Sequence, residues 1–502
     1  MAPAAAHAVD GILTPIDLKT IPPFYRRKNG LLLYFLLTSS LLASAALGID
    51  GSMTNGMQAL QTWQDRFGHP TGSKLGFFGA ANSIGGVIPF IFLSWIVDTL
   101  GRRVSTAIGS IVIITGVLIE FFATSLNMYI GGKIMGAPVL VTELSHPKER
   151  VQITTFYNTS IVLGYVIGAW ATFGCYRINS QWSWRLPTLI QVVPSAYQFC
   201  LIFFCPESPR WLIAKGRLQE ARDILIKYHG ECDPNSELVA FECAEIQQVI
   251  AKEAENNMTW KDFISSVPNL KRISLCFATA VFSQTSGSAL VSNYLPQILK
   301  DTGLTTEFEI TLVNGMVTLW QYIVAIAVTL LIDRFKRRFF FVTGSAGVVV
   351  TFIVWTIASQ QYIERNSLPA GRVVLACIFI FEAFYTLAWT NLIVTYPLEI
   401  VTYQMRAKTW AFVLLTIQVS SIFSGYVNPI GLESIGWKFY IYYCVWVTIE
   451  FLIVYFFFVE TAGPTLEELT YLFEGKDEKI QLTQQLEEKR GVIHEERLEK
   501  DD

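Results

Sequence analysis

Long apolar segments recur along this chain, and they constrain its fold more than any other feature. Runs such as GLLLYFLLTSSLLASAALGI and RRVSTAIGSIVIITGVLIEFFA have the roughly 20 residues that a membrane-spanning helix needs. Only 16% of the residues are charged, whereas soluble domains carry about a quarter. The sequence therefore predicts an all-α polytopic membrane protein. Its apolar segments cover residues 31–58, 75–97, 104–123, 129–143, 153–174, 186–205, 272–299, 310–332, 339–359, 371–397, 407–428 and 436–459.

One long polar stretch divides the apolar segments into two groups of six. It holds charged amphipathic pieces such as RLQEARDILIKYHG, which predict short surface helices. Six segments, an insert and six more segments are typical of a transporter built from two related halves. We expect a cytoplasmic N-terminal segment (1–30), an N-terminal six-helix bundle (31–205), an insert of intracellular helices (206–271), a C-terminal six-helix bundle (272–460) and a cytoplasmic tail (461–502).

The placement of Lys and Arg predicts how the chain is oriented. These residues cluster in the short connections after the second, fourth, eighth and tenth segments, and they are scattered in the other connections. Because basic residues favour the cytoplasmic side, both termini are expected in the cytoplasm. This orientation holds only if segment 129–143 crosses the membrane.

Segment 129–143 is short for a membrane span. Its helix would reach about 24 Å, against a hydrocarbon core of about 30 Å. Local thinning of the bilayer could accommodate the difference at modest cost. The sequence therefore predicts a shortened fourth span that disturbs the packing of the N-terminal half.

Four short connections repeat one combination of acidic and basic side chains. DTLGRR and DRFKRR follow the second and eighth segments, while ELSHPKER and EIVTYQMR follow the fourth and tenth. Carboxylate–guanidinium pairs are strong and specific, so these clusters could latch the two halves together at the cytoplasmic face. The alternative is that they only set the topology. The candidate gate residues are Asp98, Arg102, Arg103, Glu143, Arg150, Asp333, Arg334, Arg337, Arg338, Glu399 and Arg406.

Two further motifs, PESPRWL after the sixth segment and VETAGPTLEEL after the twelfth, extend this pattern. Together with the four connections, they resemble the sugar porter family of the major facilitator superfamily. SQTSGSALVSNYLPQILKDTG and AWTNLIVTYPLEIVTYQMRAK resemble, more narrowly, its fungal lactose permease-like branch. The resemblance implies twelve transmembrane helices in two six-helix bundles, a central sugar site, alternating access and a fungal plasma membrane. It also adds Glu207 and Arg210 to the gate.

Two charged residues inside apolar segments are candidates for proton coupling. A carboxylate such as Asp50 is costly in the membrane and usually functional. Asp50 matches the acid of proton-linked sugar porters, and Lys133 stands where a family Arg faces that acid. The simpler interpretations are that Asp50 lies at the outer end of its helix and that Lys133 snorkels to the surface. Glu120, Glu382 and Glu450 match no family role, and we expect them to be structural.

Candidate sugar-binding residues are amides and an aromatic residue in the seventh, eighth and tenth segments. Sugars present hydroxyl edges and C–H faces, which amides and aromatic rings recognise. Gln284 matches the family's sugar-binding glutamine, but Ser288 replaces an Asn of the branch and Val394 a Trp of hexose porters. The identity of the sugar therefore does not follow from the resemblance. The candidates are Gln284, Asn293, Asn314, Trp389, Thr390 and Asn391.

The function that these features predict is transport of a mono- or disaccharide, by proton symport, without covalent chemistry. The expected partners are the sugar, protons and the lipid bilayer, and we expect a monomer. The eight cysteines lack metal-ligand spacing, and no basic stripe indicates nucleic acid, so neither a cofactor nor a metal nor nucleic acid is expected. Three alternatives stay open: a sugar sensor without flux, a uniporter, and a porter made inactive by its short fourth span.

Overall fold

The computed structural model of the chain begins with a small β-hairpin. Strand β1 (Ala5–Val9) pairs antiparallel with β2 (Ile12–Ile16). Valine, isoleucine and threonine favour extended backbone, which explains this departure from an all-α chain. The structure describes residues 5–9, 12–16, 28–136, 150–230, 232–234, 236–255, 262–332, 334–390, 392–401, 405–462 and 473.

Helices make up the rest of the described chain, in an N-terminal half, an insert and a C-terminal half. The N-terminal half contains α1 (Lys28–Ala59), α2 (Gln61–Phe67), α3 (Gly72–Leu100), α4 (Arg102–Phe121), α5 (Leu126–Met135), α6 (Arg150–Cys175), α7 (Trp182–Ile190) and α8 (Val192–Ile202). The insert contains α9 (Pro209–Ala214), α10 (Leu218–Tyr228), α11 (Glu237–Glu255) and α12 (Asp262–Ser265).

The C-terminal half also contains eight helices among the described residues. It contains α13 (Val267–Thr285), α14 (Ser288–Lys300), α15 (Glu307–Leu331), α16 (Arg337–Arg365), α17 (Leu368–Tyr385), α18 (Leu392–Ile400), α19 (Arg406–Ile435) and α20 (Phe439–Phe457). A π-helical turn (Thr386–Thr390) lies between α17 and α18, and a 3₁₀ turn (Gly436–Lys438) precedes α20.

Eleven of the twelve apolar segments coincide with a helix or with a broken pair of helices. The exception is segment 129–143, which the structure describes only to Gly136, after α5 has ended at Met135. Its shortened length therefore stays a prediction. By length and composition, six helices among the described residues could cross a membrane: Asn29–Ala59, Arg102–Phe121, Glu307–Leu331, Arg337–Arg365, Leu368–Ile400 and Lys408–Phe457.

Three of the apolar segments are divided between two helices. Helices α7 and α8 meet at Gln191, and α13 and α14 meet at Gly287, whose φ of 101° disfavours a side chain. The π-helical turn interrupts the tenth segment. Such breaks leave backbone groups and polar side chains available for binding inside a bundle. Transporters form their substrate and ion sites at breaks of this kind.

Close contact between α1 and α6 fixes the centre of the N-terminal half. A Cβ atom at Gly48 would collide with the carbonyl oxygen of Ile161, and one at Gly164 would collide with that of Ala45. Small residues let helix backbones approach each other in membrane proteins. The two glycines therefore set the distance between these helices.

The insert lies at one end of the molecule, which we call the insert side, and the opposite end is the distal side. The Asn29 amide at the start of α1 donates to Cys232 Sγ in the α10–α11 connection, at 3.3 Å. The indole of Trp211 in α9 donates to the carbonyl oxygen of Asp98 near the end of α3, at 3.0 Å. Helix α1 thus runs from the insert side to the distal side, and α3 runs back.

The two halves meet through α1 with α14, α3 with α19 and α6 with α15. Their hydrogen bonds include one from the Gln61 backbone N–H to Glu307 Oε1, at 2.9 Å, and one between Ser83 and Ser421, at 2.9 Å. These contacts join the distal parts of the helices. On the insert side, the Asp98 side chain is 71% exposed.

One described residue of the tail packs on the start of the C-terminal half. The ring of Phe473 is buried, and the Arg272 guanidinium lies over it with its Cζ 5.1 Å from the ring centroid. Arg272 itself is 1% exposed in α13. Phe473 therefore covers an arginine at the insert-side end of this helix.

Candidate functional site

A buried ion pair joins α1 and α5 in the N-terminal half. The ammonium of Lys133 lies 2.8 Å from Asp50 Oδ1 and donates to Thr54 Oγ1, also at 2.8 Å. Asp50 is 7% exposed and Lys133 is 3% exposed. The structure thus brings the two predicted coupling residues together. The simpler interpretations, an Asp50 at the helix end and a snorkelling Lys133, do not fit these positions.

Further side chains hold this pair in place. The Gln191 amide, at the break between α7 and α8, donates to Asp50 Oδ1 at 3.3 Å. The Lys133 ammonium also lies 5.4 Å from the centroid of the Phe78 ring. Asp50 therefore accepts hydrogen bonds from two other elements, and Lys133 has both an anionic and an aromatic neighbour. Because Gln191 and Thr54 are uncharged, the sequence did not mark them as candidates.

The three acids expected to be structural differ in their surroundings. Glu450 of α20 accepts hydrogen bonds from Thr285 and Ser286, at 2.8 and 2.7 Å. Glu382 is buried in α17. Glu120 of α4 is also buried, but it lies against α5 beside Lys133. Sequence reasoning missed this neighbourhood because spacing within one helix does not identify the residues of another.

Amide side chains of α1 reach into the C-terminal half. The Asn55 side chain donates to the Val291 carbonyl at 2.8 Å and accepts from the Leu295 N–H at 3.1 Å. It also donates to Asn314 Oδ1 at 3.5 Å. The Gln58 amide donates to the backbone carbonyl of Asn293 at 2.7 Å.

Two predicted sugar-binding residues, Asn293 and Asn314, therefore lie at the contact between the halves. The Asn314 side chain is buried, and its Nδ2 makes no hydrogen bond to the described residues. Asn55 and Gln58, which sequence analysis did not single out, are their partners. This contact offers amide donors and acceptors where the two halves face each other.

The other predicted sugar-binding residues lie elsewhere. Gln284 is half-buried near the end of α13 and donates to Ser283 Oγ at 3.1 Å. Trp389 is 1% exposed, with its ring 5.4 Å from Phe341 and 6.2 Å from Phe282. Its indole is enclosed by aromatic rings in this conformation. Thr390 is half-buried in the π-helical turn, and Asn391 lies outside the described residues.

On the insert side, Glu207 caps the N-terminus of α4. Its carboxylate accepts the backbone N–H groups of Arg102, at 2.9 Å, and Arg103, at 3.2 Å. The Arg103 guanidinium donates to the Phe203 carbonyl, and Arg102 lies 3.7 Å from Asp98. A carboxylate at a helix N-terminus satisfies free N–H groups and complements the helix dipole.

The C-terminal half repeats this cap with Glu460. Its carboxylate accepts the backbone N–H groups of Arg337, at 2.9 Å, and Arg338, at 3.1 Å, at the start of α16. The Arg338 guanidinium donates to the Tyr455 carbonyl at 2.6 Å. Sequence analysis missed Glu460, although the Glu of VETAGPTLEEL follows its apolar segment as the Glu of PESPRWL does.

The remaining gate candidates are described only in part. Glu399 lies 3.6 Å from Arg337 and accepts a hydrogen bond from Thr461 at 2.5 Å. Its described partners thus belong to its own half. Arg210 lies in α9, Arg334 is exposed, and Arg406 begins α19. Glu143, Asp333 and the side chain of Arg150 lie outside the described residues.

Residues 36–473 match the family described as "Sugar (and other) transporter". Among curated relatives, the Saccharomyces cerevisiae protein named Sugar transporter STL1 is 27% identical over 76% of this chain and 69% of its own length. The High-affinity glucose transporter of Kluyveromyces lactis is 26% identical over 86% of this chain and 83% of its own.

Solved structures of a bacterial transporter share the fold. The inward-open conformation of the xylose transporter XylE from E. coli superimposes with a TM-score of 0.70 and 19% identity. The superposition covers 88% of this chain and 99% of that chain. At this identity, the likeness establishes the helical architecture alone.

Proposed function

Because the chain belongs to the sugar transporter family of the major facilitator superfamily, we propose that it carries a sugar across a membrane together with a proton. The observation that carries this proposal is the buried ion pair of Asp50 and Lys133, 2.8 Å apart. Buried ionisable groups in membrane helices are costly, and in transporters they commonly relay protons. Protonation of Asp50 would remove its attraction for Lys133 and free α1 to move relative to α5.

The proposed substrate is a mono- or disaccharide that binds between the two halves. Asn293 and Asn314 support this, because they lie where α1 meets the C-terminal half. Gln284, Trp389, Thr390 and Asn391 are further candidates, which the family resemblance supports. Trp389 would contact the sugar only in another conformation, one in which its ring is uncovered.

Names of relatives widen the range of sugars to test. The curated relatives include hexose and glucose transporters and a probable polyol transporter of Arabidopsis thaliana. Lactose also stays a candidate, because the chain resembles the fungal lactose permease-like branch. The panel should therefore contain glucose, xylose, lactose and a polyol.

The proposed topology has twelve spans, a shortened fourth span and both termini in the cytoplasm of a plasma-membrane monomer. The insert side is then cytoplasmic, and the distal contacts close the outer face. The helix caps by Glu207 and Glu460, together with the other gate residues, would guide rocking of the halves on the cytoplasmic side. The hydrogen bonds of the distal contacts and the exposed Asp98 side chain support this arrangement.

The test is uptake of radiolabelled sugars in cells that lack their own sugar transporters. For a sugar that the wild type accumulates, Asp50→Asn should abolish uphill accumulation while sugar exchange across the membrane persists. Unchanged accumulation by this variant would contradict the role of Asp50.

The same assay separates the alternatives. Uptake by the wild type without movement of protons indicates a uniporter. Binding of sugar without flux indicates a sensor, or a porter that the short fourth span has inactivated.

A further inference from the structure

Glu120 adds a second carboxylate to the pair formed by Asp50 and Lys133. It is 1% exposed on α4, and its Cγ would lie 2.7 Å from a Cβ built at Gly132, the residue before Lys133. The charges of both Asp50 and Lys133 act on its carboxyl group. These three residues, from α1, α5 and α4, form what we call the charge cluster.

Glycines at the contact between α4 and α5 make this approach possible. A Cβ at Gly116 of α4 would lie 2.6 Å from the Gly132 carbonyl and from the Gly136 nitrogen. A Cβ at Gly136 would lie 3.6 Å from Glu120 Oε1. A larger residue at Gly132 would crowd Glu120, whereas the contact at Gly136 is an ordinary van der Waals distance. The sequence GGKIMG thus holds the lysine and leaves room for the carboxyl group.

The formal charges of the charge cluster do not balance. One ammonium faces two carboxylates, which leaves one negative charge, and an uncompensated buried charge is strongly destabilising. Lys133 donates to Asp50 and Thr54, and Asp50 also accepts from Gln191. Glu120 Oε2, in contrast, makes no hydrogen bond to the described residues. The neutral acid is therefore the form of Glu120 that fits this structure.

Among the described residues, Lys133 is the one cation whose charge acts on the Glu120 carboxyl group. The phenol of Tyr129, on α5, lies beside the Glu120 carboxyl group. The guanidinium of Arg185, on α7, lies over the ring of Phe121 at 5.8 Å. The ionisable residues of the two other helices packed on α4 are Lys74 and Asp98, near the ends of α3, and Tyr197 and Cys200 on α8.

We propose that Glu120 shares the transported proton with Asp50, so that the coupling site is the charge cluster and not the ion pair alone. This inference rests on the proposed symport. On loading, the Glu120 carboxylate takes a proton from a hydronium ion and yields a carboxylic acid and water. On unloading, the proton returns to water, and the Lys133 ammonium is shared by two carboxylates.

A lysine suits this role better than an arginine. Its ammonium is a compact charge with three donors on a flexible stem, whereas a guanidinium is a planar fork that pairs with one carboxylate at fixed geometry. Lys133 can therefore turn between Asp50 and Glu120. The inference accounts for a lysine at the position of the family arginine.

The test is Glu120→Gln, which keeps the shape of the side chain and stays neutral. We expect sugar exchange to persist, accumulation to fall to the external concentration and sugar-driven alkalinisation of the medium to disappear. Glu450→Gln is the matched control: Glu450 is also buried, but the Thr285 and Ser286 hydroxyls satisfy its oxygens. That variant should still accumulate sugar.

Each contrary result has a definite meaning. Accumulation and proton uptake retained by Glu120→Gln would overturn the role of Glu120 and leave the symport standing. A wild type that moves sugar without protons would overturn both. If Glu120→Gln does not reach the membrane, Glu120→Asp takes its place. We then expect a shifted pH profile of the KM for sugar, and an unchanged profile would overturn the inference.

Discussion

Gly164 shows how one residue determines the geometry of the N-terminal half. Because a Cβ there would collide with the Ala45 carbonyl, Gly164→Ala must separate α6 from α1, the helix that carries Asp50. Overpacking of this kind costs about 1–3 kcal/mol. We expect a lower melting temperature of the purified protein in detergent and a reduced rate of sugar uptake.

Gly174, on the same helix, is the matched control. A Cβ at this position has no atom within 4 Å among the described residues, so Gly174→Ala should melt like the wild type. Equal melting temperatures for the two variants would show that α1 and α6 do not pack as closely as the structure has them.

The sequence predicted single residues of the site only where they carry a strong signal. Asp50 and Lys133 stood out because charge inside an apolar segment is rare, and the structure pairs them. Gln191 and Thr54 are uncharged and gave no such signal. The importance of Glu120 depends on a neighbouring helix, which spacing along α4 does not reveal.

At the scale of elements, two equivalent glutamates cap two equivalent helices. Glu207 accepts backbone N–H groups at the start of α4, and Glu460 does so at the start of α16. Replacing a capping carboxylate removes a favourable charge and weakens these hydrogen bonds, at a cost of about 1 kcal/mol. We expect Glu207→Gln and Glu460→Gln each to lower the melting temperature in detergent.

The caps belong to different halves, so their effects should add. Distant sites that share no partner are additive within about 0.5 kcal/mol. Exposed Glu364, in α16, provides a control variant, Glu364→Gln, with little expected effect. A double cap variant no less stable than either single one would indicate that the caps act as one unit.

Hydropathy predicted the existence and order of the long helices, but not their interruptions. The apolar character of segment 186–205 does not show that α7 ends and α8 begins at Gln191, although Pro187 and Pro194 lie within the segment. Gly287 is a visible candidate for a break, yet its positive φ and its close contact with Phe352 were seen only in the structure. The N-terminal hairpin was missed because the segment lacks a long apolar run.

For the whole molecule, the distal contacts determine which side is closed. Asn55 and Gln58 together donate or accept four hydrogen bonds across the two halves. Each hydrogen bond contributes about 1 kcal/mol, and 1–2 kcal/mol changes a two-state ratio roughly 5–30-fold. We expect the double variant Asn55→Ala, Gln58→Ala to shift the population towards a state that is open on the distal side.

Distances between spin labels measure this shift. One pair, at Arg66 and Thr305, reports on the distal side, and another, at Asp98 and Arg334, reports on the insert side; all four residues are exposed. In the double variant the first distance should lengthen and the second should shorten. A single variant of the exposed Gln360, Gln360→Ala, is the control. Unchanged distances would mean that other contacts close the distal side.

The sequence predicted the two-fold organisation because motifs recur at matching places in both halves. Their relative position was not predicted, since it depends on contacts such as that of Asn55 with Val291, between residues far apart in the chain. The sequence thus predicted two related halves, and the side on which they meet came only from the structure.

The burial of Phe473 against Arg272 has a practical consequence for the design of fusion proteins. If the chain is cut directly after α20 to attach an affinity tag or a fluorescent protein, Phe473 is lost. The arginine near the start of α13 is then exposed. Poor yield of such a fusion would then reflect the chosen junction and not the intrinsic behaviour of the transporter. Fusions are better placed beyond Phe473.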